Sequence, residues 1–388
     1  MKRIYAHAVA ASMLLALCAL PVRAADAVET AVGVPAVEAP SVLLMEQETG
    51  TVLYEHNSRE KREPASVTKI MTLLLVMEAI DSGELSYEDT VTVSAHAASM
   101  GGSQVYMKEN EQMSVRDMLK AVAVVSANDG SVALAEHLAG SEEAFVAMMN
   151  QRAARLGMED TCFVNCTGLP AAGHLTSARD IALMSRELML KHPDIRQFTT
   201  IWMDTIRDGA FQLSNTNKLV RFYEGATGLK TGSTDAARYC LSATAERGGM
   251  QLIAVVLGAD TSEKRFETAK SLLNFGFANY TLTDVRPGQA LPPIDVLMGV
   301  EETVQPVPAR SARILVEKSL ADKVTTELKL AADVEAPVEA GQKLGAMVIR
   351  VDGVEREEIP IVADRDVARL TVGGIFSRFL ELLFMKRK

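Results

Sequence analysis

The chain has 388 residues, 48% of them hydrophobic and 23% charged, with a formal net charge of −10. That apolar content is enough for a sizeable core and excludes general disorder, while the acidic balance argues against a nucleic-acid binder. The length accommodates two ordinary domains with a tail.

Residues 1–24 read as a secretory signal peptide: Lys2 and Arg3 form a basic start, an apolar run extends from Ala8 to Leu20, and Val22-Arg23-Ala24 offers small residues for cleavage. Their removal would take away Lys2, Arg3 and Arg23, shifting the charge from −10 to −13. No internal run is long enough to span a bilayer. The mature chain is therefore expected outside the cytoplasm, secreted or held at the outer face of the cytoplasmic membrane. Cys162, Cys166 and Cys240 remain after cleavage; an odd count cannot close completely into internal disulfides, and they read as small buried thiols. Four-ligand zinc spacing is absent, and neither metal nor cofactor is expected.

Residues 25–40, rich in Ala, Val and Pro, read as a linker. "SVLLMEQETGTVLYEH" predicts two short strands around a turn at Glu48-Thr49-Gly50. A helix is expected from Pro64, apolar almost all round through Ile70, Leu73, Leu74, Met77 and Ile80, which suits burial in the middle of a domain; Gly83 ends it. A second apolar helix over 114–125 stops at Ser126-Ala127-Asn128-Asp129-Gly130, and helical patterns follow at 130–139, 142–156 and 177–190. Past Lys230-Thr231-Gly232, which should open a run becoming a strand, "RYCLSATAE" and "MQLIAVVLG" form a hairpin across Arg247-Gly248-Gly249, and a helix covers about 262–276. Strands at both ends with helices between imply an α/β (α+β) domain over 41–280 with an antiparallel sheet. Prolines and short alternating runs then predict a small all-β domain over 285–370, with a turn at Asp352-Gly353. In 373–388, Ile375, Phe376, Phe379, Leu380 and Leu383 recur at helical spacing before Lys386-Arg387-Lys388. Sixteen helical residues reach about 24 Å, too short to cross, so the expectation is an amphipathic helix lying on a membrane surface.

The chemistry concentrates in three short motifs. Ser66 and Lys69 lie three apart at the start of the buried helix, so their side chains share a face. Burial lowers a lysine pKa, a second cation lowers it further, and a neutral Lys69 could accept the proton of Ser66. The amide of Ser66, at a helix start, lacks an intrahelical partner and could stabilise an oxyanion. A decoy with the same spacing, Ser58 and Lys61, falls in a charged loop where water keeps the amine protonated. Ser126 and Asn128 mark a break between two apolar helices, where a hydroxyl could relay a proton and an amide could hold a substrate carbonyl. Lys230 would supply the second cation and attract a substrate carboxylate, Thr231 could hydrogen-bond it, Gly232 would let a substrate backbone lie along the sheet edge, and the Ser233 amide could be a second oxyanion donor. His174 reads as ordering a loop rather than as a base, and Asp129 as capping the next helix.

Ser-x-x-Lys, Ser-x-Asn and Lys-Thr-Gly in this order, with Ala127 where an Asp is usual, together with "EPASVTKIMT", "VSANDGSVALAEHLAGS", "NTNKLV" and "GLKTGSTDAARYCLSATAER", resemble the low-molecular-mass penicillin-binding proteins, the D-alanyl-D-alanine carboxypeptidases of serine peptidase family S11. The likeness covers about 40–280, and the β-rich segment and terminal helix fit that family's appendages. It implies a penicillin-binding, β-lactamase-like fold and removal of the terminal D-Ala from peptidoglycan pentapeptide stems ending in D-Ala-D-Ala, without metal or cofactor. Ser66 would be acylated, Lys69 its base and Ser126 the proton shuttle. Asn128 would position the substrate, Lys230 and Thr231 would bind its carboxylate, and β-lactams would be covalent inhibitors. Competing functions are a serine β-lactamase and a non-catalytic peptidoglycan-binding protein.

Overall fold

The computed structural model describes residues 33–287, 290–310, 312–376 and 379. The signal-peptide segment, most of the linker and nearly all of the terminal helix expected over 373–388 lie outside these residues.

The site is carried by an antiparallel five-stranded sheet flanked by helices. Strands β1 (Ser41–Glu46) and β2 (Val52–His56) form the first hairpin. A 3-10 turn, Ala65–Thr68, leads into α1 (Lys69–Asp81). Helices α2 (Val115–Val124), α3 (Asn128–Ala139), α4 (Glu142–Arg155) and α5 (Ala178–Lys191) follow. Strands β3 (Ala226–Thr234), β4 (Arg238–Arg247) and β5 (Met250–Ala259) then complete the sheet in the order β2-β1-β5-β4-β3, and α6 (Ser262–Asn279) covers one face.

The continuous apolar run of β5 follows from its position, with packing on both faces. Its residues alternate between two cores: Ile253, Val255 and Leu257 join Leu43, Met45 and the α1 residues Ile70, Leu73 and Leu74. Leu252, Ala254 and Val256 join Val42, Leu44 and the α6 residues Leu272, Leu273 and Phe277. α1 is buried from Lys69 through Met77, as its all-round apolar pattern requires. Each large apolar side chain removed from water there contributes about 1.5–3 kcal/mol. Gly248 and Gly249 turn the β4–β5 hairpin with φ of +55° and +76°, the primed-turn geometry that glycine adopts freely.

Two small two-stranded sheets escape the sequence reading. Thr90–Thr92 pairs with Gln112–Ser114, and Met203–Ile206 pairs with Phe211–Ser214. Three-to-four-residue strands carry too little periodicity to stand out, although Asp208-Gly209 is a turn signal.

Beyond α6 the chain is β-rich. Strand Tyr280–Val285, which fills the interval between the two expected domains, pairs with Ala312–Glu317. A four-stranded sheet holds Pro306–Pro308, Val324–Leu330, Lys343–Val351 and Val354–Ala363, with Asp352 and Gly353 at its expected tight turn. A three-stranded sheet joins Ile294–Leu297, Thr303–Val304 and Asp333–Glu335. Arg313 links this region to the sheet domain, donating to Glu48 and to the Gly249 carbonyl. Among the described residues no helix is long and apolar enough to cross a membrane, and the described cysteines are free thiols. Cys166 and Cys240 are buried as expected; Cys162 is exposed, because it sits in a surface segment whose backbone pairs with Leu175.

Candidate active site

The 3-10 turn Ala65–Thr68 and the start of α1 deliver the serine and the lysine to one place. Lys69 is fully buried, and its Nζ donates to Ser66 Oγ at 3.0 Å, Asn128 Oδ1 at 2.6 Å and the Thr167 carbonyl at 2.6 Å. Ser66 retains partial exposure at the mouth of the turn. Burial lowers the Lys69 pKa from 10.5 to about 7, against the opposing pull of Cys166 and Asp129. The Cys166 thiol is itself pushed up by burial and is neutral at pH 7, so the effective counter-charge is Asp129. Of the two causes expected from the sequence, burial is the one that acts on Lys69, and the second cation does not register on it. Repulsion between the two lysines registers on Lys230, which burial, Lys69 and Arg265 together hold well below 10.5. The decoy lysine, Lys61, is exposed to water and far from such an environment.

Two glycines clamp the Ala65–Ser66 peptide. A Cβ on Gly168 would lie 1.9 Å from the Ala65 carbonyl oxygen and 2.9 Å from Ser66 N, and Gly168 has φ +84°. A Cβ on Gly232 would lie 2.8 Å from Ser66 N and 2.9 Å from Val67 N. Gly232 therefore lets the strand itself approach the serine turn, a closer constraint than the substrate approach expected of it. A hydrogen-bond chain braces the same peptide from behind. Val164 N–H donates to His174 Nδ1 (3.0 Å), His174 Nε2 meets Thr68 Oγ1 (2.8 Å), and the Thr68 hydroxyl donates to the Ala65 carbonyl (2.8 Å). Burial and Lys69 lower the His174 pKa to about 4, keeping it neutral and fit for this structural role.

Ser126 stands at the α2–α3 junction with φ +67°, buried, and its Oγ has no hydrogen-bond partner among the described residues. Ala127 N–H returns to the Ala121 carbonyl at 3.1 Å, closing the end of α2 around a left-handed residue where glycine is the usual occupant. Asn128 holds Lys69 with Oδ1 and donates through Nδ2 to the Gly101 carbonyl at 2.7 Å. Asp129 does not cap α3 as expected. Its carboxylate accepts from Val105 N (3.0 Å) and Met107 N (3.1 Å), tethering that segment to the first turn of α3.

The third motif lies inside β3 rather than before a strand: Lys230 pairs with Ser242, Thr231 with Leu241, Gly232 with Cys240 and Ser233 with Tyr239. β3 is the last strand of its sheet, so its outer edge has no partner strand. Lys230 and Thr231 are buried and Ser233 is exposed. Thr231 Oγ1 meets Thr216 Oγ1 at 2.7 Å, which brings "NTNKLV" into the site, and Thr216 N–H donates to the Val124 carbonyl beside Ser126.

Sequence reasoning missed Gly168 and Arg265, and included Thr216 within "NTNKLV" without giving it a role. Arg265 lies under β3 and donates from Nη1 to the Gly232 carbonyl (3.1 Å) and the Cys240 carbonyl (3.2 Å). Its helical spacing to Ala269, Leu272 and Leu273, which puts it on the apolar face, was the available signal for it. Among the described residues no cluster of three His, Cys, Asp or Glu side chains is arranged to hold a metal ion.

Residues 28–261 match the model of the D-alanyl-D-alanine carboxypeptidase family, and 282–369 match the penicillin-binding protein 5 C-terminal domain. The chain is 43% identical over 337 residues to D-alanyl-D-alanine carboxypeptidase DacF of Bacillus subtilis, covering 86% of each chain. It is 33% identical over 374 residues to DacC of Escherichia coli, covering 93% of this chain and 92% of that one. Penicillin-binding protein 5 from Haemophilus influenzae superposes with a TM-score of 0.76 at 30% identity, over 87% of this chain and all of that one. Penicillin-binding protein D2 from Listeria monocytogenes, solved in its ampicillin-bound form, gives 0.57 at 36% identity over 62% of this chain and 98% of that one. On these matches, the chain belongs to the D-alanyl-D-alanine carboxypeptidases of serine peptidase family S11, the low-molecular-mass penicillin-binding proteins.

Proposed function

We propose that this serine D-alanyl-D-alanine carboxypeptidase works through an acyl-enzyme on Ser66. The observation that carries the assignment is the buried Lys69 amine, 3.0 Å from Ser66 Oγ and with its pKa lowered to about 7. Neutral Lys69 takes the Ser66 proton as Oγ bonds to the carbonyl carbon of the penultimate D-Ala. The C–N bond then breaks, and the terminal D-Ala leaves as an amine after receiving a proton through Ser126 Oγ. Water hydrolyses the ester and restores Ser66. The strained, unpartnered Ser126 hydroxyl suits this relay, because strain of this kind persists where function needs it. The amides of Ser66 and Ser233 serve as oxyanion donors. Lys230 and Thr231 hold the terminal carboxylate, whose charge restores the proton that burial and Lys69 disfavour on Lys230. Asn128 orients Lys69 and borders the substrate channel, and Gly232 keeps β3 against the serine turn.

The chain acts on peptidoglycan stem peptides and is acylated by β-lactams. It is exported through residues 1–24, with a peptidase domain over 41–280 and a β-rich domain over 285–370, and meets the outer membrane face through a helix over 373–388. The test is release of D-Ala from a D-Ala-D-Ala pentapeptide, paired with fluorescent-penicillin labelling and mapping of the modified residue. The adduct should fall on Ser66 and vanish in Ser66→Ala together with D-Ala release. A Ser66→Ala variant that releases D-Ala at the parent rate overturns the mechanism. Rapid turnover of penicillin in place of a long-lived adduct would favour a β-lactamase.

A further inference from the structure

Large exposed apolar side chains of the β-rich region gather where two segments distant in sequence meet. Leu297, Met298 and Val300 are 49%, 45% and 57% exposed. The backbone that presents them is nevertheless firmly held. The Leu297 carbonyl accepts from Ala336 N–H, the Met298 carbonyl from Leu370 N–H at 2.7 Å, and Val300 N–H donates to the Ala368 carbonyl at 2.8 Å. Met298 has φ +60°, and a Cβ on Gly299 would lie 2.6 Å from the Glu301 carbonyl oxygen, so the loop is a tight, built feature. Strained backbone that turns apolar side chains to water gains nothing within the monomer.

The position of this loop indicates its occupant. Leu370, bonded to Met298, is the last residue before Thr371, whose Oγ1 accepts from Gly374 N–H at the start of the helical residues 372–376. Two residues cover about 7 Å, so the terminal segment leaves the domain beside the loop. There Val372, Phe376 and Phe379 are also exposed. Two carboxylates of these segments are ion-paired, Glu301 with Arg365 at 2.9 Å and Glu335 with Arg369 at 2.8 Å. The sequence then ends in Lys386-Arg387-Lys388. Apolar side chains continuous with a basic terminus match an anionic lipid surface.

We propose that the 297–300 loop is a second membrane-contacting element, inserting Leu297, Met298 and Val300 into the interfacial layer of an anionic bilayer beside the terminal helix. The proposal rests on the membrane-surface reading of 373–388. It fixes the β-rich region at two points, which would set the orientation of the domain on the membrane.

The test uses residues 25–388 carrying Trp202→Phe and Met298→Trp, leaving one tryptophan, with phosphatidylglycerol/phosphatidylcholine vesicles containing brominated lipid. The expected result is a blue-shifted emission quenched by bromine. The triple variant Leu297→Ser, Met298→Ser, Val300→Ser, in the parent background, should bind vesicles about tenfold more weakly while releasing D-Ala from a soluble peptide at the parent rate. Vesicle binding with water-like, unquenched emission from residue 298 overturns the loop proposal and leaves the terminal-helix reading standing. Absence of vesicle binding overturns both. A blue shift without lipid that grows with protein concentration assigns the patch to a second copy of the chain and overturns the proposal.

Discussion

Protonation of Lys69 offers the sharpest test of the site. The fall from 10.5 to about 7 corresponds to about 5 kcal/mol between the charged and neutral amine. At pH 7 an ordinary lysine is neutral in about 3 molecules in 10,000, whereas Lys69 is neutral in about half, so burial supplies a factor of about 10³ in available base. The assay is the first-order acylation rate by a fluorescent penicillin, followed from pH 5 to 9.5 at saturating inhibitor so that the bound carboxylate keeps Lys230 charged. The rate should rise with unit slope at low pH and level off near or just below pH 7. Lys69→Arg, which cannot give up its proton, should lose at least about 10³-fold and show no such step. A rate that keeps climbing through pH 9, or a Lys69→Arg variant within tenfold of the parent, would refute the argument that desolvation makes the base.

Gly168→Ala should lower penicillin labelling at least about 100-fold and depress Tm, since its Cβ meets the Ala65 carbonyl oxygen at 1.9 Å. Gly173→Ala, with φ +82° but nothing within 4 Å, should cost only about 1 kcal/mol and label normally; equal losses in both variants would remove the clamp from the explanation. Ser126→Gly relieves the left-handed strain and should stabilise the fold by about 1 kcal/mol in urea titration while D-Ala release falls at least about 100-fold. The folded-state pKa of His174 is depressed from 6.5 to about 4, so the unfolded chain binds the extra proton in that window. The stability it confers is complete above pH 6.5 and declines by up to about 3 kcal/mol as pH falls to 4. Urea unfolding at pH 6.5 and 4.5 should show that part of the acid sensitivity removed in His174→Asn.

Local signals along the chain were sufficient for much of this protein. The all-round apolar pattern of 69–80 demands a buried helix whatever its neighbours, and Arg247-Gly248-Gly249 between two β-rich runs demands a hairpin, because periodicity and turn chemistry act within a few residues. The pairing of Ser66 with Lys69 was likewise legible, since three residues apart on a helix is a fixed geometry. What only the tertiary structure decided is how segments distant in sequence, from Asn128 to Gly232, close around that pair. Gly168 and Gly232 both pack against the Ser66 amide, Asn128 and the Thr167 carbonyl orient the lysine, and Asp129 anchors a loop instead of capping a helix. The relative weight of the two expected causes of the lowered lysine pKa also emerged only there, because desolvation is a property of everything packed around a group rather than of its neighbours in sequence.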